Sequence, residues 1–225
     1  MSAPMEALPG ILAVLGAGAA TAAQIAAGAA AIAFALGLAL AVANVFTPLA
    51  AARVAIAAYT EWMRNVPALA HLFLLYFGLA SVGVRLTPLT ASILGLGLVG
   101  AAVLCDVFSA GLRALHVGQR EAALAVGLTP AQALRLVVLP QVLRLTLPAL
   151  GNYATQLVKD TSIASAVAAP EIMFFARNLV TSTFQTPLIY ASAIALYAAI
   201  VLPLGWLFAR VERRLGAAGG MGAAR

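Results

Sequence analysis

A chain of 225 residues in which 64% are hydrophobic and only 9% are charged is too apolar for an ordinary soluble domain, where about a quarter of the residues carry a charge. The formal net charge is +6, but the basic residues cluster between apolar runs and near the end of the chain, as topology signals do in membrane proteins. Composition therefore predicts an all-α integral membrane protein surrounded by lipid, and it argues against a nucleic-acid partner.

Five apolar runs are predicted to cross the membrane. No charged residue occurs from Ala7 to Ala52, and because about 20 apolar residues cross a bilayer, this run holds one span with slack at both ends. Gly28 and Gly37 leave smooth faces in that span, on which another helix can pack closely. The five predicted spans cover about residues 19–45, 53–84, 89–112, 143–167 and 188–208.

The transmembrane domain is expected to cover residues 19–215, and the segments at its two ends are expected to be separate from it. Residues 1–18 form a predicted extracytoplasmic segment, and the Gly- and Ala-rich residues 216–225 form a predicted disordered cytoplasmic tail. Within the domain, residues 168–187 are predicted to be a loop.

Polar side chains inside the predicted spans mark a candidate substrate pathway, because ionisable groups are costly in lipid. Glu61 and Arg64 are three residues apart on one helix face, where they can pair. Asp106 is either a functional acid or the structural partner of a nearby arginine. Polar residues also recur on one face of the fourth span, which predicts a substrate path or an interhelical hydrogen-bond seam. They are Asn152, Thr155, Gln156, Lys159 and Ser162, and Asp160 adjoins Lys159.

The stretch from Gly118 to Pro140 is too polar to dissolve in lipid, and it is predicted to form two short helices. Gly127 should end the first helix, because glycine tolerates the left-handed conformation. Thr129 is a predicted N-cap of the second helix, with Gln132 at the spacing of a capping box. Pro140 should close the second helix, because the residue before a proline is pushed out of the helical region. An ordinary solvated loop is the alternative.

The arginines predict the orientation of the chain in the membrane. With five spans the two chain ends lie on opposite sides, and only Arg85 and Arg177 fall on the side opposite to the arginine-rich one, which marks the cytoplasm. The N-terminus is then outside, and the C-terminus and residues 118–140 are cytoplasmic. The arginines on the cytoplasmic side are Arg53, Arg113, Arg120, Arg135, Arg144, Arg210, Arg213 and Arg214.

Enzymatic chemistry finds little support in the sequence. The chain's one lysine, Lys159, is followed by Asp160, so no G-x-x-x-x-G-K-[ST] phosphate loop is present. Neither a metal-ligand cluster nor a pair of nucleophile and base can be argued. We therefore expect a chain that is not an ATPase and has no catalytic residue, no metal site and no cofactor of its own.

Several motifs together resemble one transporter family. Glu121-Ala122-Ala123, Gly127 and Leu139-Pro140 resemble the EAA signature of the membrane subunits of bacterial ABC importers. The flanking motifs are similar to those of the polar amino acid permeases, the histidine, glutamate, glutamine, arginine and opine group. These motifs are Gly118-Gln119-Arg120, Val138-Leu139-Pro140-Gln141, Pro148, Asn152 and Lys159-Asp160-Thr161-Ser162-Ile163, and the second span adds Tyr59, Glu61, Arg64 and Pro67. The resemblance extends from Thr21 to Leu215.

This resemblance implies a type I ABC importer permease in the bacterial cytoplasmic (inner) membrane, with five core transmembrane helices and cytoplasmic coupling helices. Its partners would be a second permease subunit, identical or related, two cytoplasmic ATPase subunits that bind ATP and Mg²⁺, and an extracytoplasmic solute-binding protein that delivers a polar amino acid. Residues 118–140, called the coupling segment below, would transmit closure of the ATPases to the spans as a rigid-body movement and switch access from outside to inside.

The resemblance also implies roles for individual residues. The residues that would couple to the ATPase are Gln119, Glu121, Ala122, Ala123, Gly127, Leu139 and Pro140. The residues of the predicted substrate pathway are Glu61, Arg64, Asp106, Asn152, Gln156, Lys159, Asp160, Thr161 and Ser162.

The third span departs from the family pattern, in which Ala-Tyr-x-Ala-Glu is followed by Phe-Arg. Val103, Asp106 and Ser109 stand here in place of the tyrosine, glutamate and arginine, which leaves the identity of the transported amino acid open. The alternative functions are an ion-gradient-driven secondary transporter or channel and a membrane scaffold that transports nothing. Within ABC importers, the nearest alternative is a methionine or phosphonate permease, which residues 159–162 disfavour.

Overall fold

The structure is a computed structural model that describes the backbone of residues 3–219 and the side chains of residues 8–215. Every regular element in that range is helical. The α-helices are α1 (Ala3–Phe46), α2 (Ala50–Asn65), α3 (Ala68–Phe73), α4 (Leu79–Ser81), α5 (Pro88–Ala114), α6 (Val117–Ala125), α7 (Pro130–Ala133), α8 (Leu139–Asp160), α9 (Ile172–Thr183) and α10 (Thr186–Gly219). One π-helical turn (Leu74–Gly78) joins α3 to α4, another (Leu134–Val138) joins α7 to α8, and a 3-10 helix (Thr161–Val167) follows α8.

Four helical stretches of the described chain are long and apolar enough to cross a membrane. They are Leu8–Phe46, Pro88–Ala114, Pro130–Val167 and Thr186–Leu215. A fifth crossing results if α2 and the stretch Ala68–Ser81 form one broken span, whose two halves are bent by 103°. The break occurs at Val66, which is extended (φ −98°, ψ 135°) because it precedes Pro67. The predicted all-α membrane fold is confirmed, with four spans, or five if this bent pair is one of them.

Close packing of α1 on α5 forms the centre of the bundle. A Cβ atom on Gly37 would lie 2.9 Å from both the backbone oxygen of Ala101 and the Cβ atom of Leu104, so the two helices approach as closely as glycine allows. A Cβ atom on Gly28 would meet the side chain of Ile93 at 2.9 Å. The predicted smooth faces are thus used for α5. The core around this contact includes Ala33, Ala41, Leu104, Cys105, Phe108 and Val142.

Helices extend beyond three of the boundaries predicted from the sequence. Residues 3–18 belong to α1, which runs unbroken to Phe46 because Ile11 and Leu15 pack against α9 and α10. The predicted loop contains α9, whose first turn is capped by a side chain described below. The predicted disordered tail is helical as far as Gly219, and its residues 220–225 lie outside the described residues, as do residues 1–2.

The prediction that Pro140 ends a helix is also wrong. Pro140 lies in the first turn of α8, and the π-helical turn at 134–138 comes immediately before it. Proline lacks an N–H, and its ring collides with the carbonyl group four residues earlier in a regular α-helix. A wider π-helical turn moves that carbonyl away, so the helix continues through the proline. The coupling segment is therefore connected to α8 without a break.

Candidate functional site

A glycine in the left-handed region shapes the turn between α6 and α7. Gly127 has φ +90°. Its N–H donates to the carbonyl oxygen of Leu124 at 3.0 Å, and the N–H of Leu128 donates to the carbonyl oxygen of Ala123 at 3.2 Å. These two bonds form a Schellman motif, which satisfies carbonyl groups at the end of α6. The predicted role of Gly127 as a helix stop is confirmed.

The start of α7 is fixed by the predicted capping box. The hydroxyl oxygen of Thr129 accepts a hydrogen bond from the N–H of Gln132 at 3.3 Å, and the side-chain oxygen of Gln132 accepts one from the N–H of Thr129 at 2.9 Å. Pro130 occupies the first turn of the helix, where its missing N–H costs nothing. Capped at this turn, α6 and α7 form a compact pair rather than a solvated loop.

Most of the predicted coupling residues face outward. Gln119, Glu121, Ala122, Gly127 and Pro140 are exposed, and Leu139 is half-buried. Ala123 is buried, so it packs α6 onto the rest of the chain instead of facing a partner. The sequence analysis missed two exposed valines at the ends of α6, Val117 and Val126, of which Val126 is 78% exposed. Both lie beside the predicted coupling residues of α6, so we include them in the candidate coupling surface.

Two contacts attach the coupling segment to the transmembrane helices. The guanidinium group of Arg120 lies 5.3 Å from the centre of the Phe46 ring at the end of α1, which is a cation–π distance. The side-chain amide of Gln141 in α8 donates to the side-chain oxygen of Gln119 at 3.3 Å. α6 therefore contacts both α1 and α8, so a movement of α6 can act on both helices.

A cleft of about 460 Å³ between α5 and α8, called the polar groove below, contains three of the predicted pathway residues. Asn152, Gln156 and Asp160 line its α8 side. The side-chain amide of Gln156 donates to a carboxylate oxygen of Asp160 at 2.8 Å. The α5 side is apolar, with residues such as Val99 and Val103. The groove thus combines hydrogen-bonding groups on one wall with an apolar wall opposite.

Arg64 pairs with Asp106 rather than with Glu61. The guanidinium group of Arg64, in the last turn of α2, forms an ion pair with the carboxylate of Asp106 in α5. Glu61 instead accepts a hydrogen bond from the side-chain amide of Asn65 at 2.8 Å. The predicted pairing of Glu61 with Arg64 is therefore wrong. Asp106 thus has a nearby arginine as its partner, because tertiary packing brings residues 42 positions apart together.

The predicted polar face of the fourth span divides between two clefts. Lys159 and Ser162 line a second cleft of about 360 Å³, together with Tyr197 of α10, and not the polar groove. Thr161 is fully buried, and its hydroxyl donates to the carbonyl oxygen of Val158 at 2.7 Å. The structure thus gives no support to the predicted place of Thr161 on a substrate pathway, because Thr161 lines neither cleft. The chain turns at this point from α8 into the 3-10 helix, which rotates the side chains away from a single helical face.

Glu171 is a buried carboxylate that the sequence analysis placed in a loop. Its side-chain oxygens accept hydrogen bonds from the N–H groups of Met173 (2.9 Å) and Phe174 (2.8 Å) at the start of α9, and from the hydroxyl of Tyr197 (2.7 Å). A Cβ atom on Gly18 would lie 2.6 Å from the backbone of Glu171, so α1 passes directly over it. Burial raises the pKa of the Glu171 carboxyl, and the three hydrogen bonds oppose that rise. Glu171 thus ties α9 to α1 and α10.

Residues 33–217 match the family described as the binding-protein-dependent transport system inner membrane component. The chain belongs to this family. A probable glutamine ABC transporter permease of Bacillus subtilis, GlnM, is 35% identical over 158 residues, which cover 70% of this chain and 73% of the relative. The glutamine transport system permease GlnP of Escherichia coli K12 is 30% identical over 175 residues, which cover 77% of this chain and 80% of the relative.

Solved structures of ABC transporters contain chains of the same fold. In the crystal structure of an amino acid ABC transporter with histidines, a chain 28% identical to this one gives a TM-score of 0.80 and covers 89% of this chain and 94% of that chain. A chain of the MetNI methionine ABC transporter gives 0.77 at 22% identity, covers 90% of this chain and 96% of that chain, and shows the fold alone.

These likenesses confirm the predicted permease family and the type I importer permease fold. The chain is therefore a multi-pass inner-membrane permease subunit of an ABC transport system, a class that works with ATPase and binding-protein partners. Membership of a permease family is consistent with a chain that is not itself an enzyme. The comparisons give no support to an ion-gradient transporter or channel.

Proposed function

We propose that this chain forms half of the translocation pathway of an ATP-driven importer of polar amino acids. The named relatives include two glutamine permeases, and the similar solved transporter holds histidines, which supports an amino acid as the substrate. The polar groove fits this class, because a polar amino acid needs hydrogen-bonding partners such as Asn152, Gln156 and Asp160 inside the membrane. A second permease chain, identical or related, supplies the other half.

The observation that carries the proposal is the capped, exposed pair formed by α6 and α7. Glu121, Ala122 and Gly127 are exposed on it, and the pair continues into α8 through the π-helical turn. A rigid knob of this kind transmits the closure of two cytoplasmic ATPase subunits to the helices that line the groove. ATP and Mg²⁺ are bound by those ATPases and not by this chain. An extracytoplasmic binding protein delivers the amino acid.

The proposed orientation has the N-terminus outside and the C-terminus in the cytoplasm. Its support is the arginine distribution, which puts the coupling segment and the last turns of α10 on one side and Arg85 and Arg177 on the other. α5 separates the segment that contains Arg85 from the coupling segment, and a helix of 27 residues is about 40 Å long, enough to cross a bilayer.

Reconstitution tests the proposed function. The chain is placed in proteoliposomes with its cognate ATPase and binding protein, and the twenty common amino acids are compared for ATP-driven uptake and for stimulation of the ATPase. We expect one or a few polar amino acids to be taken up, with uptake that vanadate abolishes and an uncoupler leaves unchanged. Uptake that survives vanadate and collapses with the uncoupler would instead indicate a secondary transporter.

A charge reversal tests the coupling surface. Glu121→Lys should lower ATP-driven uptake about tenfold or more, because reversing one charge in a docked interface costs several kcal/mol. Arg85→Glu is the control, since it also reverses an exposed charge and lies far from the coupling segment in the sequence. Both variants should insert in the membrane in normal amounts, and only the first should lose the ATPase on co-purification. Equal uptake in both variants would contradict the assigned docking surface.

A further inference from the structure

The ion pair between Arg64 and Asp106 lies at the edge of the polar groove. Residues 63–68 line an adjoining cleft of about 440 Å³ together with Val99 and Val103 of α5. This adjoining cleft shares Ala68, Val99 and Val103 with the polar groove, so the two clefts lie side by side and are together called the path below. Asp106 stands one helical turn beyond Val103 on α5. The charges of the pair are therefore next to the path that contains Asn152, Gln156 and Asp160.

Stabilisation of the fold is a weak explanation for this pair. The side chains of Arg64 and Asp106 are 47% and 44% exposed in this chain, so a ligand can reach both charges. α2 is already attached to α5 by another bond, in which the hydroxyl of Tyr59 donates to the carbonyl oxygen of Leu98 at 2.7 Å. The pair is thus accessible, and it is not the only bond that holds the two helices together.

The surroundings of the pair leave its charges available to a ligand. Glu61, the other nearby acid, is occupied by the side-chain amide of Asn65. Asp160 in the groove is occupied by Gln156. Arg64, which lines the adjoining cleft, and Asp106, which contacts it, therefore form a half-exposed neutral unit beside the path. The head group of an α-amino acid is also a neutral unit, with one carboxylate and one ammonium group side by side.

We propose that Arg64 and Asp106 form a receptor for the zwitterionic head group of the transported amino acid. The substrate carboxylate replaces Asp106 on Arg64, and the released Asp106 carboxylate takes the substrate ammonium group. Every charge keeps a partner during this exchange, so no unpaired charge is left in the membrane. The inference rests on the proposed function and deepens it, since it selects substrates that carry both head-group charges.

Single substitutions give the first test, in the reconstituted complex with its ATPase and binding protein. Arg64→Gln and Asp106→Asn should each lower uptake about tenfold or more, because each removes one charge-assisted hydrogen bond to the substrate. Membrane insertion and co-purification of the ATPase should stay at wild-type levels. Arg85→Gln is the matched control, as it removes an exposed arginine that lies outside both clefts. Wild-type uptake in either Arg64→Gln or Asp106→Asn would overturn the inference.

Substrate analogues give a test that a structural role would not satisfy. The probes are L-glutamine and L-histidine, each with one analogue that lacks the α-amino group and one that lacks the α-carboxylate. Thermal stabilisation of the purified permease–ATPase complex is measured without the binding protein. In the wild type both analogues should stabilise less than the parent amino acid. In Asp106→Asn the analogue without the amino group should match the parent, and in Arg64→Gln the analogue without the carboxylate should do so.

Three results would overturn the inference. The first is equal discrimination against the analogues in wild type and variants. The second is a wild-type complex that imports an amino acid yet does not distinguish either probe from its analogues. The third is full recovery of uptake in the double variant with Arg64→Asp and Asp106→Arg, because a structural ion pair survives that exchange and an oriented receptor does not. In each of these cases wild-type uptake continues and only the receptor is lost, whereas a wild type without ATP-driven uptake of any amino acid contradicts the proposed function itself.

Discussion

Glu171 illustrates how a carboxylate is kept inside this bundle. It is 0% exposed, and two N–H groups of α9 and the Tyr197 hydroxyl satisfy its oxygens. Acceptors at a helix N-terminus also gain from the helix dipole. Because the group is buried, loss of one partner leaves an unsatisfied acceptor and costs more than the bond itself contributes. Glu171 is therefore a structural residue that fixes α9 against its neighbours.

Tyr197→Phe should destabilise the chain through this contact. Losing one hydrogen bond to a charged group costs about 1.5–3 kcal/mol, which corresponds to a fall in Tm of roughly 3–10 °C for a chain of this size. Tyr190→Phe is the control, because Tyr190 lies on the same helix and makes no hydrogen bond among the described residues. The measurement is the Tm of the purified protein in detergent. Equal Tm values for the two variants would show that the contact with Glu171 contributes nothing.

Single residues were predictable where the signal is local and not where it depends on tertiary contacts. The roles of Gly127 and Thr129 follow from the preference of glycine for the end of a helix and of threonine for the N-cap. Arg64 lies three residues from Glu61 but 42 from Asp106, so sequence spacing favoured the wrong partner. Glu171 accepts a hydrogen bond from Tyr197, a residue that is 26 positions away in the sequence. The one local sign was an acid just before the apolar run of residues 172–175, at a position where a side chain can cap a helix.

At the scale of elements, the contact of α1 with α5 depends on glycine. Gly37→Ala should lower the Tm, because its Cβ atom would lie 2.9 Å from a backbone oxygen and from the Cβ atom of Leu104. Gly16→Ala is the matched control in the same helix, since a Cβ atom there meets nothing within 4 Å. Alanine favours a helix over glycine by about 1 kcal/mol, so Gly16→Ala should hold or raise the Tm. A fall for Gly16→Ala as large as that for Gly37→Ala would contradict the assigned packing.

The turn between α6 and α7 gives a second prediction at this scale. Gly127→Asp forces a side chain into φ +90°, and Gly83→Asp does the same at φ +93°, each with nothing within 4 Å. Both should lose about 1–2 kcal/mol of stability, because the left-handed region is strained for other residues. Only Gly127→Asp should also uncouple the ATPase, as seen by ATPase activity that substrate no longer stimulates. Equal stimulation of the ATPase by substrate in the two variants would show that this turn has no special role in coupling.

Helix boundaries were predictable at capped ends but not inside long helices. The glycine stop of α6 and the capping box at Thr129 both lie within residues 127–132, and both appear as expected. Pro140 gives the same local signal as a helix terminator, yet the π-helical turn before it removes the clash. The existence of α9 depends on its burial against α1 and α10, which no periodicity within residues 168–187 reveals.

At the scale of the whole molecule, composition gave the membrane class and the combined motifs gave the family. The number of spans is harder to predict from the sequence. α2 and the stretch Ala68–Ser81 are bent by 103°, so they cross the membrane together only if they form one broken span. The polar residues divide between the polar groove and the second cleft, which Lys159 lines, and this division depends on how α5, α8 and α10 pack. This division determines which side chains can contact a substrate, and the spacing of polar residues along one helix does not predict it.

Thiol accessibility combined with cross-linking tests the central claim, that the coupling segment projects into the cytoplasm and docks on an ATPase. In a Cys105→Ala background, Val126→Cys and Val82→Cys replace valines that are 78% and 74% exposed near opposite ends of α5. We expect the cysteine at position 126 not to react with a membrane-impermeant thiol reagent in intact cells, whereas the cysteine at position 82 reacts from outside. The cysteine at position 126 should also cross-link to the ATPase. Labelling at position 126 from outside, or no cross-link to the ATPase in an active complex, would contradict the account.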